Sequence, residues 1–290
     1  MLLVISAGVF WGTSGTLGAF APEGATSMTI GAVRAFGSGL ALTLLMLVRG
    51  PRNFFKGPWP ILPVLISGFG LALYQPVFFA SAQATGAGVA AVITVGSAPA
   101  MAGLMGRVFF GERLSFKWCA ATITAIGGGA LLASGGLSGS GAIDPGGALL
   151  AVVAGFAYSL EGLGVKMIGD KRDSVEATTA IFMTSGIMAL PFLLTRDAAW
   201  IFTGRGIAIS VALGVLSSAL PYIFFNRGLL TVGIARSYTL TLSEPLTACL
   251  LSAFILGQRL SLTAMIGVAV ICGAIALLAA DTKAGDEGEK

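Results

Sequence analysis

The sequence has little of what soluble enzymes use for catalysis. It contains no histidine, only 13 acidic residues, and charged residues make up 10% of its 290 positions. It shows no acidic cluster suited to a metal, no Walker-type Gly-Lys-Ser/Thr loop and no Gly-x-Ser-x-Gly nucleophile turn. These absences argue against an enzyme and against a pump with its own nucleotide domain, and no cofactor or metal is predicted.

Cysteine is scarce as well. The three cysteines, Cys119, Cys249 and Cys272, fall in three different hydrophobic segments. No disulfide or metal framework is therefore predicted. The first hydrophobic segment starts at residue 2 without a basic leader or a small-residue cleavage site, so we expect a retained helix and not a signal peptide.

Hydrophobic residues, in contrast, make up 56% of the chain, and the mean hydropathy is +0.91. This composition predicts a polytopic membrane protein. The apolar runs lack the alternation of a membrane β-barrel, and each is close to the roughly 20 residues of one helical span. We predict ten spans, at about 2–20, 27–48, 60–80, 86–106, 118–134, 147–165, 177–194, 207–226, 237–256 and 262–280.

The basic residues predict the orientation in the membrane. With the N-terminus in the cytoplasm, thirteen of the 17 basic residues lie in inner loops or the tail, and three, Arg196, Arg205 and Arg259, lie in outer loops. Positive charge concentrates on the cytoplasmic side of membrane proteins. Both termini are therefore predicted to be cytoplasmic, and the inner (plasma) membrane is the expected location.

One pattern occurs twice in the chain, about 146 residues apart. Because each half carries five predicted spans, a direct repeat in sequence becomes an inverted repeat in the bilayer, which is typical of alternating-access transporters. The matched pairs include Ser97 with Ser243, Pro99 with Pro245, Gly111 with Gly257, Arg113 with Arg259, Ser115 with Ser261, Gly8 with Gly155 and Gly15 with Gly162.

The repeat divides the chain into predicted units: 1–134, a Gly/Ser-rich linker at 135–146, 147–280, and a polar tail at 281–290 that we expect to be disordered. Within the Gly-x-Arg-Leu-Ser segments, Gly111 and Gly257 are predicted to end a helix, and Ser115 and Ser261 to cap the next one. Prolines at similar depth in both halves are hinge candidates, with kinked packing as the alternative: Pro76, Pro99, Pro221 and Pro245.

These segments resemble a known family. Ser97-Ala-Pro through Gly111-Glu-Arg-Leu-Ser, and Ser243-Glu-Pro through Gly257-Gln-Arg-Leu-Ser, look like the EamA-type repeat of the drug/metabolite transporter superfamily, as does Arg34-Ala-Phe. The resemblance implies an all-α membrane protein with ten helices in two inverted five-helix repeats around a central cavity. Within the superfamily the chain is most similar to YddG-like amino acid exporters. Gln258 departs from the glutamate usual in the second repeat.

Three ionisable residues lie inside the predicted spans, where a charge is costly unless it is paired or faces water. Glu244 lies near mid-membrane beside Pro245 and is the leading coupling candidate. Glu161 is predicted to be shallower and able to reach the interface, and is the second candidate. Arg34 is expected to snorkel outward or to bind substrate. The alternative for each is a buried polar contact between helices.

Aromatic residues within the spans predict the lining of a polar cavity, since buried phenol and indole groups need partners. For any single ring, packing between helices is an equal alternative. The predicted substrate-binding residues are Trp11, Tyr74, Tyr158, Tyr222, Tyr238, Gln75 and Arg34.

The function predicted is export of small amphipathic metabolites, with amino acids as the first expectation, by alternating access. A multidrug exporter is the nearest alternative, and an intramembrane enzyme or a non-transporting scaffold is more distant. The expected partners are a small-molecule substrate and the lipid bilayer, without nucleic acid, in a monomer or a homodimer.

Overall fold

The computed structural model describes residues 1–50, 54–85, 87–134, 144–194, 198–255, 257 and 261–288. Every regular element in these ranges is helical. The predicted linker falls mostly outside the described residues, as do Arg196, Gln258 and Arg259.

Twelve α-helices make up the described chain. In the first half they are α1 Leu2–Ala19, α2 Ser27–Arg49, α3 Ile61–Thr85, α4 Ala87–Phe110 and α5 Phe116–Ser134. In the second half they are α6 Pro145–Ile168, α7 Ser174–Leu194, α8 Gly204–Gly214, α9 Leu220–Val232, α10 Ile234–Leu240, α11 Ser243–Ile255 and α12 Leu262–Gly288. A π-helical turn, Val215–Ala219, joins α8 to α9.

Seven helical stretches of the described residues are long and apolar enough to cross a membrane. Three further helices, α5, α7 and α12, lie where the sequence predicts the remaining spans. The molecule is thus an all-α membrane protein, and the count of ten spans stays a prediction.

The two halves pack crosswise. Helix α1 packs against α11, and α6, its counterpart in the second half, packs against α4. Helix α2 packs against α7 and α5 against α12, so these counterparts face each other directly. Each of these contacts therefore has an equivalent in which the two halves change places, as expected for two related halves arranged around a twofold axis.

The turns of the repeated segments follow the sequence prediction. Gly111 and Gly257 both have φ +66°, in the left-handed region that glycine enters without strain. The Ser115 hydroxyl accepts a hydrogen bond from the amide of Trp118, and the Ser261 hydroxyl accepts one from Ala264. Both serines therefore cap the helix that follows, as predicted.

The prolines act differently in the two halves. Pro76 and Pro99 lie inside α3 and α4, which continue through them. Pro221 instead follows the π turn, and Pro245 stands in the first turn of α11, just after the break between α10 and α11. Of these four prolines, only the two in the second half of the chain lie next to an interruption of the regular α-helix.

The chain end differs from the expectation of a polar tail without regular structure. Helix α12 continues through residues 281–288 as far as Gly288. Extending a helix costs far less than starting one, because each added residue fixes one backbone unit and gains one hydrogen bond. The long apolar part of α12 supplies that start.

Candidate functional site

A cavity with about 590 Å³ of empty space lies where helices of both halves meet. It brings together most of the polar and aromatic residues that the sequence singles out. Its walls are Trp11, Arg34, Tyr74, Gln75, Thr94, Val95, Ala98, Pro99, Tyr158, Tyr222, Thr241 and Glu244.

A continuous set of aromatic rings forms one side of this cavity. Trp11 packs edge-on against Tyr222, with ring centroids 4.8 Å apart, and lies 6.3 Å from Tyr158. Tyr158 in turn lies 5.3 Å from Tyr74. Rings in contact at these distances and angles support one another, so the wall holds its shape and presents ring faces and edges to a bound solute.

Tyr238 lies one layer behind that wall, and the expectation that it lines the cavity is wrong. It is 1% exposed and packs against Tyr158 at 4.9 Å. Its hydroxyl donates to the carbonyl of Tyr158 at 2.7 Å and accepts from the amide of Gly162 at 3.1 Å. A residue with both hydrogen-bonding roles filled by α6 positions that helix and has nothing left for a solute.

Arg34 is held inward, so of the two alternatives predicted for it, snorkelling to the surface does not occur. Pro221 has no amide hydrogen, so the carbonyl of Ser217, four residues earlier, has no helical donor. The Arg34 Nη2 donates to that carbonyl at 3.0 Å. The proline in α9 thus creates the acceptor that holds the guanidinium at the cavity wall.

Glu244 supplies a negative charge to the same cavity that Arg34 lines with a positive one. It belongs to the first turn of α11, immediately after the break, and its amide donates to the carbonyl of Thr241 at 2.8 Å. The positive end of a helix stabilises a carboxylate in its first turn. The charge of Arg34 also acts on Glu244, and Tyr74 lies within reach of both charges.

Gln75 reaches the cavity because a glycine in the neighbouring helix leaves space for its side chain. Its side chain packs against Gly31 of α2, where a Cβ would come within 2.8 Å of the Gln75 Oε1. Two other hydroxyl side chains of α4 and α1, Ser97 and Thr13, do not line the cavity and donate to the carbonyls of Thr94 and Phe10 in their own helices.

Glu161 is outside the cavity lining and is completely buried, at 0% exposure. The expectation that it reaches the interface is therefore wrong. The distance of Glu161 from the end of its helix follows from the sequence, but the packing of α3, α4, α9 and α10 on α6 does not.

Sequence reasoning missed a polar cluster at the end of the bundle where α4, α6 and α9 terminate. Glu112, in the turn after α4, accepts hydrogen bonds from the amides of Ile234 at 2.9 Å and Ala235 at 3.3 Å. It also forms an ion pair with Lys166 of α6. One side chain of the first half thus caps α10 and pairs with α6, both in the second half. The only available signal was the Glu inside the Gly111-Glu-Arg-Leu-Ser turn.

Two further cavities lie between the central one and the end of the bundle where α2 begins. A second cavity, with about 300 Å³ of empty space, shares Gln75 with the central cavity, and a third, with about 900 Å³, shares Met28 with the second. The larger one is lined by Thr26, Ser27, Met28, Phe78, Phe79, Ala82 and Gln83.

Comparison with known proteins places this arrangement in a family. The sequence profile of the EamA-like transporter family matches residues 1–134 and 145–280. The chain belongs to the EamA-like transporter family. It is 35% identical to the uncharacterized transporter YwfM of Bacillus subtilis over 97% of this chain and 94% of that protein.

More distant relatives agree on the class. The uncharacterized inner membrane transporter YicL of Salmonella typhimurium is 23% identical, over 98% of this chain and 96% of that protein. A chain known from a crystal structure superposes with a TM-score of 0.80 at 20% identity, over 95% of this chain and 94% of that one, which shows a shared fold alone. The protein is therefore a multi-pass membrane transporter of the EamA-like type, and the enzyme alternative loses its support.

Proposed function

We propose that this protein exports amino acids and similar small zwitterions by alternating access through the central cavity. The observation that carries the proposal is the placement of one cation, one anion and a ring wall around a single space. Arg34, Glu244 and the rings of Trp11, Tyr74, Tyr158 and Tyr222 all line it.

The chemistry of the cavity matches an amino acid at both of its charges. The Arg34 Nε has no hydrogen-bond partner among the described residues and the guanidinium has five donors, so donors remain for a substrate carboxylate. Glu244 accepts a substrate ammonium, and the ring wall takes an apolar side chain. A lipophilic cation would suit Glu244 and the rings equally well, but it would be repelled by Arg34.

Alternating access needs a closed end and an open end that exchange roles. The Glu112 cluster joins the two halves at one end of the bundle. The two further cavities lie toward the other end, the larger one beside Thr26 and Gln83. With the predicted topology, this arrangement corresponds to a cytoplasmic side held shut and a path that faces outward.

Substrate counterflow in proteoliposomes tests the proposal. Vesicles loaded with an unlabelled amino acid should accumulate the same labelled amino acid transiently and saturably, whereas nucleosides and cationic drugs should not exchange. Glu244→Gln should abolish the exchange, and Glu23→Gln, which changes an exposed acid outside the cavity, serves as the matched control. Exchange of cationic drugs but of no amino acid would replace this proposal with the multidrug alternative, and uptake that never saturates would contradict alternating access.

A further inference from the structure

A second acidic group lies in the protein interior, apart from the substrate cavity. Glu161 of α6 is 0% exposed, and neither of its carboxylate oxygens has a well-formed hydrogen bond to any described residue. A carboxylate held this way without a partner costs several kcal/mol relative to water. The site must therefore hold something that neutralises the charge.

Two groups beside this carboxylate carry donors, but neither of them makes a well-formed hydrogen bond to it. Asn226 of α9 and Tyr238 of α10 lie beside it. Asn226 is 1% exposed, its amide nitrogen donates to the Thr178 hydroxyl at 3.0 Å, and its Oδ1 has no partner in the described structure. The Tyr238 hydroxyl already donates to the carbonyl of Tyr158. The unpartnered atoms of Glu161 and Asn226 are thus three oxygen acceptors.

The helices packed on α6 bring tyrosines toward Glu161, and their basic side chains are engaged or directed elsewhere. Tyr222 and Tyr238 lie close enough to sense its charge, as does Tyr158 on α6 itself. Among the described charged residues of these helices, Lys166 pairs with Glu112, Glu176 with Arg172, Arg34 lies near Glu244, Arg107 and Arg227 are exposed, and Arg236 is half-buried near the end of the bundle.

We propose that Glu161 and Asn226 form a proton-binding site that couples substrate export to proton movement. One bound proton makes Glu161 a neutral carboxyl that donates to the Asn226 Oδ1, and its release restores the carboxylate. A single proton thus turns Glu161 into a donor, so that the unpartnered Asn226 Oδ1 gains a hydrogen bond. A hard metal cation is held by about six or more oxygens, and these three atoms fall short of that shell.

This site is in contact with the cavity through shared rings, and its coupling role rests on the proposed export function. Tyr222 lines the cavity and also lies within reach of the Glu161 charge. Tyr158 lines the cavity, and its carbonyl holds the hydroxyl of Tyr238 beside Glu161. A solute that displaces these rings changes the surroundings of the bound proton.

Infrared difference spectroscopy on the purified protein in lipid tests the site without any substrate. A pH step should reveal the carbonyl stretch of a protonated buried carboxyl group, shifted in deuterium oxide. Glu161→Gln should remove that band, Asn226→Leu should shift its frequency, and Glu244→Gln should retain it. If Glu161→Gln fails to fold, Glu161→Asp should move the band instead. Absence of the band, its loss in Glu244→Gln alone, or its removal by sodium at fixed pH would overturn the proposal.

Transport then separates this proposal from the export function. In Glu161→Gln, accumulation driven by a pH gradient should fall about tenfold while counterflow stays within about twofold, because site-to-site coupling commonly has that size. Unchanged gradient-driven accumulation in Glu161→Gln would overturn proton coupling at this site. If the unmodified protein shows the infrared band but no counterflow at all, the export function would be refuted instead.

Discussion

Gly8 of α1 packs so closely on Ser243 of α11 that a Cβ on Gly8 would collide with the serine hydroxyl oxygen. The same contact occurs between Gly155 and Ser97, whose positions correspond to Gly8 and Ser243 in the other half. Small residues of this kind let membrane helices approach at backbone distance. The two contacts fix how the halves cross beside the cavity, since Glu244 and Ala98 follow the two serines directly.

We expect Gly8→Ala and Gly155→Ala each to destabilise the protein by about 1–3 kcal/mol, the usual cost of overpacking. Gly15→Ala is the matched control in α1, because nothing lies within 4 Å of its Cβ position. Thermal unfolding in detergent provides the measurement. Equal melting temperatures for Gly8→Ala and Gly15→Ala would show that the close crossing is not required.

Glu112→Gln should weaken the closed end of the bundle. It removes the ion pair with Lys166 and the charged cap on α10, and hydrogen bonds to charged groups contribute about 1.5–3 kcal/mol. We expect faster labelling of a cysteine introduced at Thr231, which borders this cluster.

A double variant that swaps the two charges, Glu112→Lys with Lys166→Glu, tests the geometry of that cluster. The double variant keeps opposite charges but places a cation at the N-terminus of α10, where the helix dipole is unfavourable. We therefore expect no recovery of slow labelling. Full recovery would mean that the ion pair alone closes this end.

Pro221→Ala should loosen Arg34. The new amide hydrogen at position 221 can bond to the Ser217 carbonyl, which now accepts from the guanidinium. If this acceptor positions Arg34 for a carboxylate, the apparent substrate affinity should fall about tenfold, or about 1.4 kcal/mol. Pro76→Ala is the control in the first half, and equal effects of the two variants would contradict a specific role of Pro221.

The predicted topology has a direct check. Because basic residues concentrate in the loops assigned to the cytoplasm, a reporter fused after Lys290 should be active inside the cell and inactive outside. An exported reporter would contradict the predicted cytoplasmic C-terminus. If the N-terminus is cytoplasmic as predicted, it would also mean an odd number of spans and would remove the basis of the inverted repeat.

Local sequence signals predicted much of the fold. The apolar runs located the helices, and glycine and serine in the repeated turns gave Gly111 and Ser115 their roles, because both effects act within a few residues. Trp11, Tyr74, Tyr158, Tyr222, Arg34 and Glu244, which the sequence singles out, line one cavity, and their roles in transport stay a prediction.

The sequence could not predict contacts between residues that are far apart along the chain. The inward position of Arg34 depends on a carbonyl 183 residues away. The burial of Glu161 depends on four helices that pack over α6. The sequence around Glu112 indicates only a turn, because its partners Ile234 and Ala235 lie in the other half. Helix periodicity carries no information about such partners.

The central claim is that Arg34 and Glu244 together select a zwitterion, and counterflow with four related solutes tests it most directly. Labelled phenylalanine should exchange against phenylalanine. Phenylalaninamide and phenethylamine lack the carboxylate for Arg34, and N-acetylphenylalanine lacks the ammonium for Glu244, so none of the three should exchange. Equal exchange of phenethylamine and phenylalanine would contradict a carboxylate site at Arg34, and equal exchange of N-acetylphenylalanine would contradict an ammonium site at Glu244.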